Sequence, residues 1–594
     1  MSRNEAILAL RAQMKTHGID AYILPTADPH QSEYLPEYYA GRVWISGFKG
    51  SAGTVVVTQD HAGLWTDGRY FIQAESELVG SEFVMHKLVV QTQAEYLDWC
   101  IANLSPGQTV GCDFWCISFG QLANFDAKLK EAGLILKDCG DLLKDVWTSR
   151  PSLPKSPVYL FEDHFAGESR DSKLKRIRLE MKNKKANHLL ISALDEVAWA
   201  LNLRGSDVHC NPVFVAYLLI DEEKAQLFID PSKLQTDTVE LLKSAGVHVQ
   251  AYDSILGKIQ KIRDGLIWID PSNINCKIAL QIPAGSIYSA PSPVMLAKAL
   301  KNEVEISHIR RAMEKDCHAL IQAFIWLEET LQSGQTPTEY EFAMKIKACR
   351  ASQKDYVGES FDAIIGYRSN GAIIHYKPDP THSKKINPEG ILLVDSGGQY
   401  LDGTTDITRT IALSPVSDEI KKINTAVLKG NISLSRAVFP AATKGIQLDL
   451  LARQYLWQQL LNYGHGTGHG VGFFMNVHEP PQGFVAVWNQ RGSAELQPGM
   501  LTSNEPGFYQ EGEFGIRIEN LVLTIPAGQS EYGEFLKFET MTLFPIDTHL
   551  IYFPDLDRSS IDWLNAYHEK VFNRVSPYLN EKEKNWLQEK CKQV

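Results

Sequence analysis

Five side chains between residues 395 and 519 are of the types that hold divalent cations: Asp395, Asp406, His469, Glu505 and Glu519. They fall in the segments VDSGGQYLDGTTDITRT, HGTGHGVG, NEPGFY and GIRIEN. A fold must therefore bring four stretches of chain to one point. A set rich in carboxylate oxygen with a single imidazole suits hard or borderline ions: Mn²⁺ first, with Zn²⁺ and Co²⁺ as alternatives. Four carboxylates and one imidazole offer enough donors for two ions with shared carboxylates. Two such ions clamp a bridging water and make hydroxide available as a nucleophile near neutral pH. A carboxylate at the edge can then act as base, and imidazoles nearby can stabilise an oxyanion. That chemistry suits hydrolysis of an amide or ester.

Each residue also has a plainer reading. Asp395 and Asp406 lie on the two arms of an expected hairpin, where antiparallel pairing sets side chains on one face. Two carboxylates so placed repel, so either a cation sits between them or one is protonated; alternatively both are turn caps. His465 and His469 are four apart, but the glycines between them argue against a regular helix. The two imidazoles need not point the same way, so one can be a ligand while the other faces substrate. With His478 they make three histidines in 14 residues, too dense for all to be structural. GIRIENLVLTI alternates like one strand, with Ile516 and Ile518 on one face and Arg517 and Glu519 on the other; a solvated strand face is the plain alternative for Glu519. Pro506 biases Glu505 to extended backbone at a strand end. Arg517, on the face of Glu519, can orient a ligand.

The elements that must position these residues follow from pattern. Residues 5–17 read as a helix with Ile7, Leu8, Leu10 and Met14 apolar. Ala21–Pro25 reads as a strand, and 54–58 with 63–66 as a hairpin. Glycines 47, 50 and 53 lack the Gly-Lys-Ser/Thr ending of a phosphate loop and read as turn residues. VWISGFKG at 43–50 resembles AWALNLRG at 198–205, with Trp and the last Gly matching at an offset of 155, and the hairpin at 55–67 resembles 218–230 at an offset of 163. An insertion of eight residues reconciles the two. This predicts two related α/β domains in tandem, joined by SRPSLPKSP at 149–157. From Pro293 a helical period runs on to Gly334, predicting one long helix that opens a third domain. A helix at 338–351 and a strand at 361–367 follow. Apolar segments at 391–397 and 404–413 flank GGQYLDG as a hairpin. Helices near 417–437 and 446–462 precede the histidine segment. The last 35 or so residues read as helical, covering the domain or contacting a partner chain.

At 594 residues the chain exceeds one core. Hydrophobic content of 44% and charged content of 22% are those of a globular protein. A formal charge of −12 argues against nucleic-acid binding. No apolar run reaches the roughly 18 residues of a membrane span, and the N-terminus reads as an amphipathic helix, not a secretory signal. Nine scattered cysteines without a CxxC fit reduced thiols in the cytoplasm.

The ordered series WTDGRYF, ALDEVAWALNLRGSDVHCNPVF, GAIIHY, DSGGQYLDGTTDITRT, HGTGHGVG, NVHEPP, NEPGFY and GIRIEN resembles the pita-bread metallopeptidases, specifically their eukaryote-type, three-domain, cytosolic aminopeptidase P branch. The resemblance covers nearly the whole chain. It implies an α/β (α+β) architecture with two tandem creatinase-like domains, 1–150 and 157–291, before a pita-bread catalytic domain at 292–594. It implies that Asp395 binds one metal, that Asp406 and Glu519 bridge two, and that His469 and Glu505 bind the second. Glu505 resembles the general base, His478 the histidine that stabilises the tetrahedral intermediate, and His375 and His465 those that position substrate. The implied reaction cleaves the bond between an N-terminal residue and a following proline, with two divalent ions, usually Mn²⁺, and a homodimer is common. A tertiary amide lacks the N–H that other peptidases grip, and its ring needs a shaped pocket. One departure is Asn504, where relatives often carry Asp or Val. Competing expectations are a prolidase or methionine aminopeptidase on the same fold, a metal-free creatinase-type hydrolase, and a non-catalytic binding module; the last two are disfavoured by the complete ligand set.

Overall fold

A computed structural model describes residues 2–89 and 94–594. The chain forms two compact units, Met1–Met295 and Leu296–Val594.

The first unit contains two six-stranded sheets. Helix α1 (Arg3–His17) starts at a capping box between Ser2 and Glu5 and stops at Gly18, which takes a left-handed φ of 64°. It buries Ala6, Ile7, Leu10 and Met14, while Leu8, expected on that face, is exposed. Then come β1 (Ala21–Pro25), α2 (Gly41–Ser46), β2 (Thr54–Val57), β3 (Ala62–Thr66), β4 (Val84–Lys87), α3 (Glu95–Asn103), β5 (Thr109–Cys112) and β6 (Ile135–Asp138). The sheet order is β4-β3-β2-β1-β5-β6. Side-chain alternation splits its core in two: Tyr22, Val55 and Val57 pack with α1, while Ala21, Ile23 and Val56 pack with Val110 and Phe125.

The second sheet repeats the plan with β7 (His188–Ile191), α4 (Leu194–Leu201), β8 (Tyr217–Asp221), β9 (Ala225–Ile229), β10 (Val247–Ala251), β11 (Ile267–Ile269) and β12 (Ile287–Ser289). Its order, β10-β9-β8-β7-β11-β12, matches the first position by position. Even the directions match: β3, β2 and β1, like β9, β8 and β7, pair antiparallel in succession, and the pairs on either side of them are parallel. The tandem relationship inferred from two short matches thus extends through the whole topology.

The expected single helix from Pro293 is two, α5 (Pro293–Ala299) and α6 (Glu303–Gln332). Asn302 breaks it. Its Oδ1 accepts from the amides of Val304 and Glu305, both at 3.0 Å, and Glu305 accepts from the Asn302 amide at 2.9 Å. The cap signal outweighs the continuous apolar period, because capping satisfies amides that the helix start leaves orphaned. Helix α7 (Glu339–Ala351) follows.

Strands β13 (Ile364–Tyr367), β14 (Ile391–Ser396) and β15 (Ile407–Ala412) form one antiparallel sheet. The tip of the β14–β15 hairpin leaves that sheet: Gly398–Tyr400 pairs with Tyr356–Glu359 on one side and with Gly403–Thr404 on the other. After α8 (Asp418–Ser435) and α9 (Gly445–Trp457) come β16 (Gly468–Gly470), β17 (Leu501–Asn504), β18 (Gly507–Gln510), β19 (Phe514–Arg517), β20 (Asn520–Ser530) and β21 (Gly533–Thr540). Helix α9 stops at Trp457, short of the expected 462. A second large sheet runs Val438–Pro440, β21, β20, β17, β16 and Glu479–Phe484. The segment GIRIENLVLTI is not one strand. β19 pairs with β18, β20 pairs with β17 and β21, and Ile518–Glu519 form the joint between them.

Helices α10 (Arg558–Val575) and α11 (Glu581–Lys590) cover α6. Arg574 pairs with Glu314 at 2.9 Å, Glu583 accepts from Gln322 at 3.0 Å, and the Trp586 indole donates to Glu328 at 2.8 Å.

Candidate metal centre

Asp395 lies in β14, and its register partner on β15 is Thr408. Asp406 comes two residues earlier, just before β15, so it is the diagonal neighbour of Asp395 on the same face. His469 lies in β16, Glu505 directly after β17, and Glu519 at the joint between β19 and β20. The glycine before His469 permits this approach: a Cβ at Gly468 would lie 1.9 Å from the Ser503 carbonyl oxygen.

The five side chains converge. Donor atoms of Asp406, His469 and Glu519 all lie within 4.8 Å of one another. His469 Nε2 stands 3.5 Å from both Asp406 Oδ2 and Glu505 Oε1. The other ring nitrogen, Nδ1, is 2.9 Å from the Gly470 carbonyl. A carbonyl only accepts, so Nδ1 carries the proton and the Nε2 lone pair is turned to the acids.

Charge is out of balance here. Burial pushes Asp406 well above the usual carboxylate range, and Glu519, Asp395 and Glu505 push it further. Burial and Glu519 raise Glu505, against Arg517. Burial and Asp395 raise Glu519 to about 8, with Arg517 and Thr408 opposing. Two oxygens are buried with no hydrogen-bond partner among the described residues, Asp395 Oδ1 and Glu519 Oε1. Buried acceptors in folded proteins are rarely left so. Orphaned carboxylate oxygens, an imidazole lone pair aimed at them and mutual repulsion are together what divalent cations would relieve, so this donor set fits the metal expected from the sequence.

A supporting layer fixes each ligand. Arg517 Nη2 donates to Asp395 Oδ2 at 2.6 Å, its Nε to Thr408 Oγ1 at 3.1 Å and its Nη1 to the Tyr509 hydroxyl at 2.7 Å. Thr408 passes its own proton to Glu519 Oε2 at 2.9 Å. Ser503 Oγ accepts from the His469 amide and donates to Glu505 Oε1. Asn431, on α8, donates to the carbonyls of Asn504 and Ile518, the residues just before Glu505 and Glu519. Asn504 itself bonds the Asn431 carbonyl and Ser435, so its side chain is engaged by α8. Arg517 was expected in this role. Thr408, Tyr509, Ser503 and Asn431 were not, because nothing distinguishes them from ordinary strand and helix residues.

The remaining histidines lie around this set. The His478 ring meets the His469 ring edge-on, centroids 4.2 Å apart. His465 Nε2 is 2.8 Å from the Tyr509 hydroxyl that also holds Arg517. His375 follows Ile374, whose carbonyl accepts from Arg517 Nη2 at 3.4 Å. All three are half-buried.

Residues 7–146 and again 149–305 match the Creatinase/Prolidase N-terminal domain, 307–525 match Metallopeptidase family M24, and 534–594 match the C-terminal region of that peptidase family. The chain is 41% identical over 608 residues to Xaa-Pro aminopeptidase 1 of Dictyostelium discoideum, covering 98% of this chain and 95% of the relative. It is 41% identical over 602 residues to Aminopeptidase P2 of Arabidopsis thaliana, covering 95% and 84%. The crystal structure of the X-prolyl aminopeptidase from Caenorhabditis elegans, a cytosolic enzyme with a di-nuclear active site, superimposes with a TM-score of 0.96 at 35% identity over the full length of both chains. Two creatinase-like domains ahead of a pita-bread metallopeptidase domain are therefore its architecture, and the chain belongs to the Xaa-Pro aminopeptidases of this metallopeptidase family.

Proposed function

We propose that the carboxylate cluster is the hydrolytic centre of a metal-dependent aminopeptidase that cleaves the bond between an N-terminal residue and a penultimate proline. The observation that carries this is the pair of orphaned buried oxygens, Asp395 Oδ1 and Glu519 Oε1, within a set that also presents Asp406 and His469. In this reading Asp395 holds one ion, Asp406 and Glu519 hold both, and His469 and Glu505 hold the second. Manganese suits the oxygen-rich donors best, with zinc or cobalt as alternatives. When bound, such a pair of ions supplies Lewis-acid polarisation of a carbonyl and a nucleophile at neutral pH.

The chain's own groups supply the rest. Glu505 takes the proton released on attack and returns it to the proline nitrogen, which must leave as an amine. His478, against His469, offers an N–H to the oxyanion. His375 and His465 flank the bond and set the peptide's position. Arg517 pins Asp395, and Thr408 pins Glu519, so the ligands do not reorganise as charge develops.

Three finer points belong to the same reading. A cytoplasmic location is supported by buried free thiols at Cys100, Cys112, Cys276 and Cys317 and by the cytosolic relative; no described helix is long and apolar enough to cross a membrane. A homodimer is supported by Leu450, Trp457 and Leu460, large apolar side chains exposed along and just past α9. The three domains are 1–150, 157–291 and 292–594.

The test is a panel of Xaa-Pro-Yaa tripeptides and the dipeptide Gly-Pro, offered to chelated and Mn²⁺-reloaded protein. Cleavage of the first bond of Arg-Pro-Pro after reloading is expected. Cleavage of the dipeptide alone would reject this specificity, and turnover that survives complete metal removal would reject the centre.

A further inference from the structure

Two imidazoles meet on the first sheet of the N-terminal unit. His61 stands in the turn between β2 and β3, His86 on β4, and their Nε2 atoms are 3.1 Å apart. Both rings are held by indoles. Trp65, the register partner of His86, stacks on it with centroids 4.0 Å apart and planes 5° from parallel. Trp99, on α3, stacks on His61 at 4.6 Å and 27°. Gly63 leaves the space they occupy: a Cβ there would lie 2.9 Å from His61 Nε2 and 2.4 Å from the Trp65 ring. Both imidazoles are half-buried, so an ion can reach them.

We propose that His61 and His86 form a bidentate site for a borderline divalent transition-metal ion of the Cu²⁺, Ni²⁺ or Zn²⁺ class, independent of the carboxylate centre. Nitrogens bound to one ion at about 2.0–2.1 Å lie about 2.9 Å apart when the bonds are at right angles and about 3.4 Å apart when tetrahedral. The observed separation falls between those limits. Both donors are imidazole nitrogens, which favours these ions over the Mn²⁺ suited to the oxygen-rich cluster. Water fills the remaining positions.

Without an ion the same contact is an N–H···N hydrogen bond, in which one ring carries its proton on Nε2. To bind, that ring shifts the proton to Nδ1, which takes no other hydrogen bond among the described residues. Burial keeps both imidazoles below their ordinary range, and His86 is lowered further by His61. The pair is therefore neutral near pH 7 and loses no proton on binding. The stacked indoles fix both rings in advance, so little side-chain freedom is lost.

The test uses the full chain, Mn²⁺-loaded, with His61→Gln and His86→Gln as separate variants. Each is dialysed against buffered Zn²⁺ and its bound zinc measured by atomic emission. Tryptophan emission is then followed during Cu²⁺ addition, which quenches indoles stacked on the ligating rings. Wild type should retain one more zinc per chain than either variant and show a quenching phase that both lack, with tripeptide cleavage unchanged in all three. Equal zinc and equal quenching in wild type and in whichever variant keeps native circular dichroism would overturn the site.

Discussion

Asp395 and Ser396 are neighbours on β14 and point to opposite faces of their sheet, each into a buried cluster of charge. On the Ser396 side stands Arg350. It donates to Asp316 Oδ1 and Oδ2 at 2.8 and 3.1 Å, to Glu359 Oε2 at 3.0 Å and to Ser396 Oγ at 3.1 Å. Tyr400 and Tyr356 donate to Asp316 Oδ1 and Glu359 Oε1. All four carboxylate oxygens are thus met within the chain. On the Asp395 side four carboxylates share Arg517 and one imidazole, and two oxygens are met by nothing among the described residues. Both clusters are buried and each holds one arginine, but Arg350 faces two carboxylates and Arg517 four. What separates structure from receptor is whether the chain completes its own hydrogen bonds.

That contrast can be broken at either face. The largest effect is expected on the incomplete side. If Asp406 is shared by two ions as proposed, Asp406→Ala should lower kcat for Arg-Pro-Pro by at least about 10³-fold, about 4 kcal/mol of barrier. Metal content measured on the same sample should fall with it; wild-type turnover at matched metal would contradict the bridging role. On the complete side, Arg350→Met strands Asp316 and Glu359, and urea denaturation should show a loss of about 3–5 kcal/mol. The two faces should also answer pH differently. In chelated protein the Glu519 carboxyl titrates at about 8 when folded, against 4.5 unfolded. The folded state therefore holds an extra proton between those values, and stability should fall as pH rises across that window, by up to about 1.4 kcal/mol per unit. Reloading with Mn²⁺ should abolish the slope, since the ion then replaces the proton. A flat urea midpoint from about pH 5 to about pH 8 without metal would show that the acids do not repel as their burial implies. The smallest effect is expected from Thr408→Val, which frees Glu519 Oε2 and Arg517 Nε while keeping shape; metal affinity by competition with a chelator should drop about 10–100-fold.

Much of this was legible beforehand, for reasons that can be named. Asp395 and Asp406 interrupt apolar β-branched runs, and the glycines around His465 and His469 exclude a helix, so both segments advertise a site. The Trp and Gly shared by 43–50 and 198–205 pointed to the duplicated sheet. The break at Asn302 was also in view, as Asn302 followed three residues later by Glu305, but the apolar period runs unbroken through it and hid it. The joint at Glu519 left a faint trace: the buried positions Ile516 and Ile518 are followed by Leu521 and Leu523, one residue out of step, where the backbone changes sheets. Arg350 gave no signal, because Asp316 and Ser396 lie 34 and 46 residues away and only Glu359, at nine, is near in sequence. Thr408 and Tyr509 gave none either, since a hydroxyl on a strand acquires its role only from what the fold sets opposite.

That joint has a mechanical side. Asp395 and Asp406 belong to the sheet of β13, β14 and β15, His469 and Glu505 to the sheet of β16 and β17, and Glu519 to the seam where the chain crosses over. Ions gripped by all five would act as rivets through two plates, and withdrawing them would leave like charges prising the plates apart. Amide hydrogen exchange in chelated protein should then quicken first along β14, β16 and β17, ahead of α10 and α11, whose helices are fastened to α6 instead.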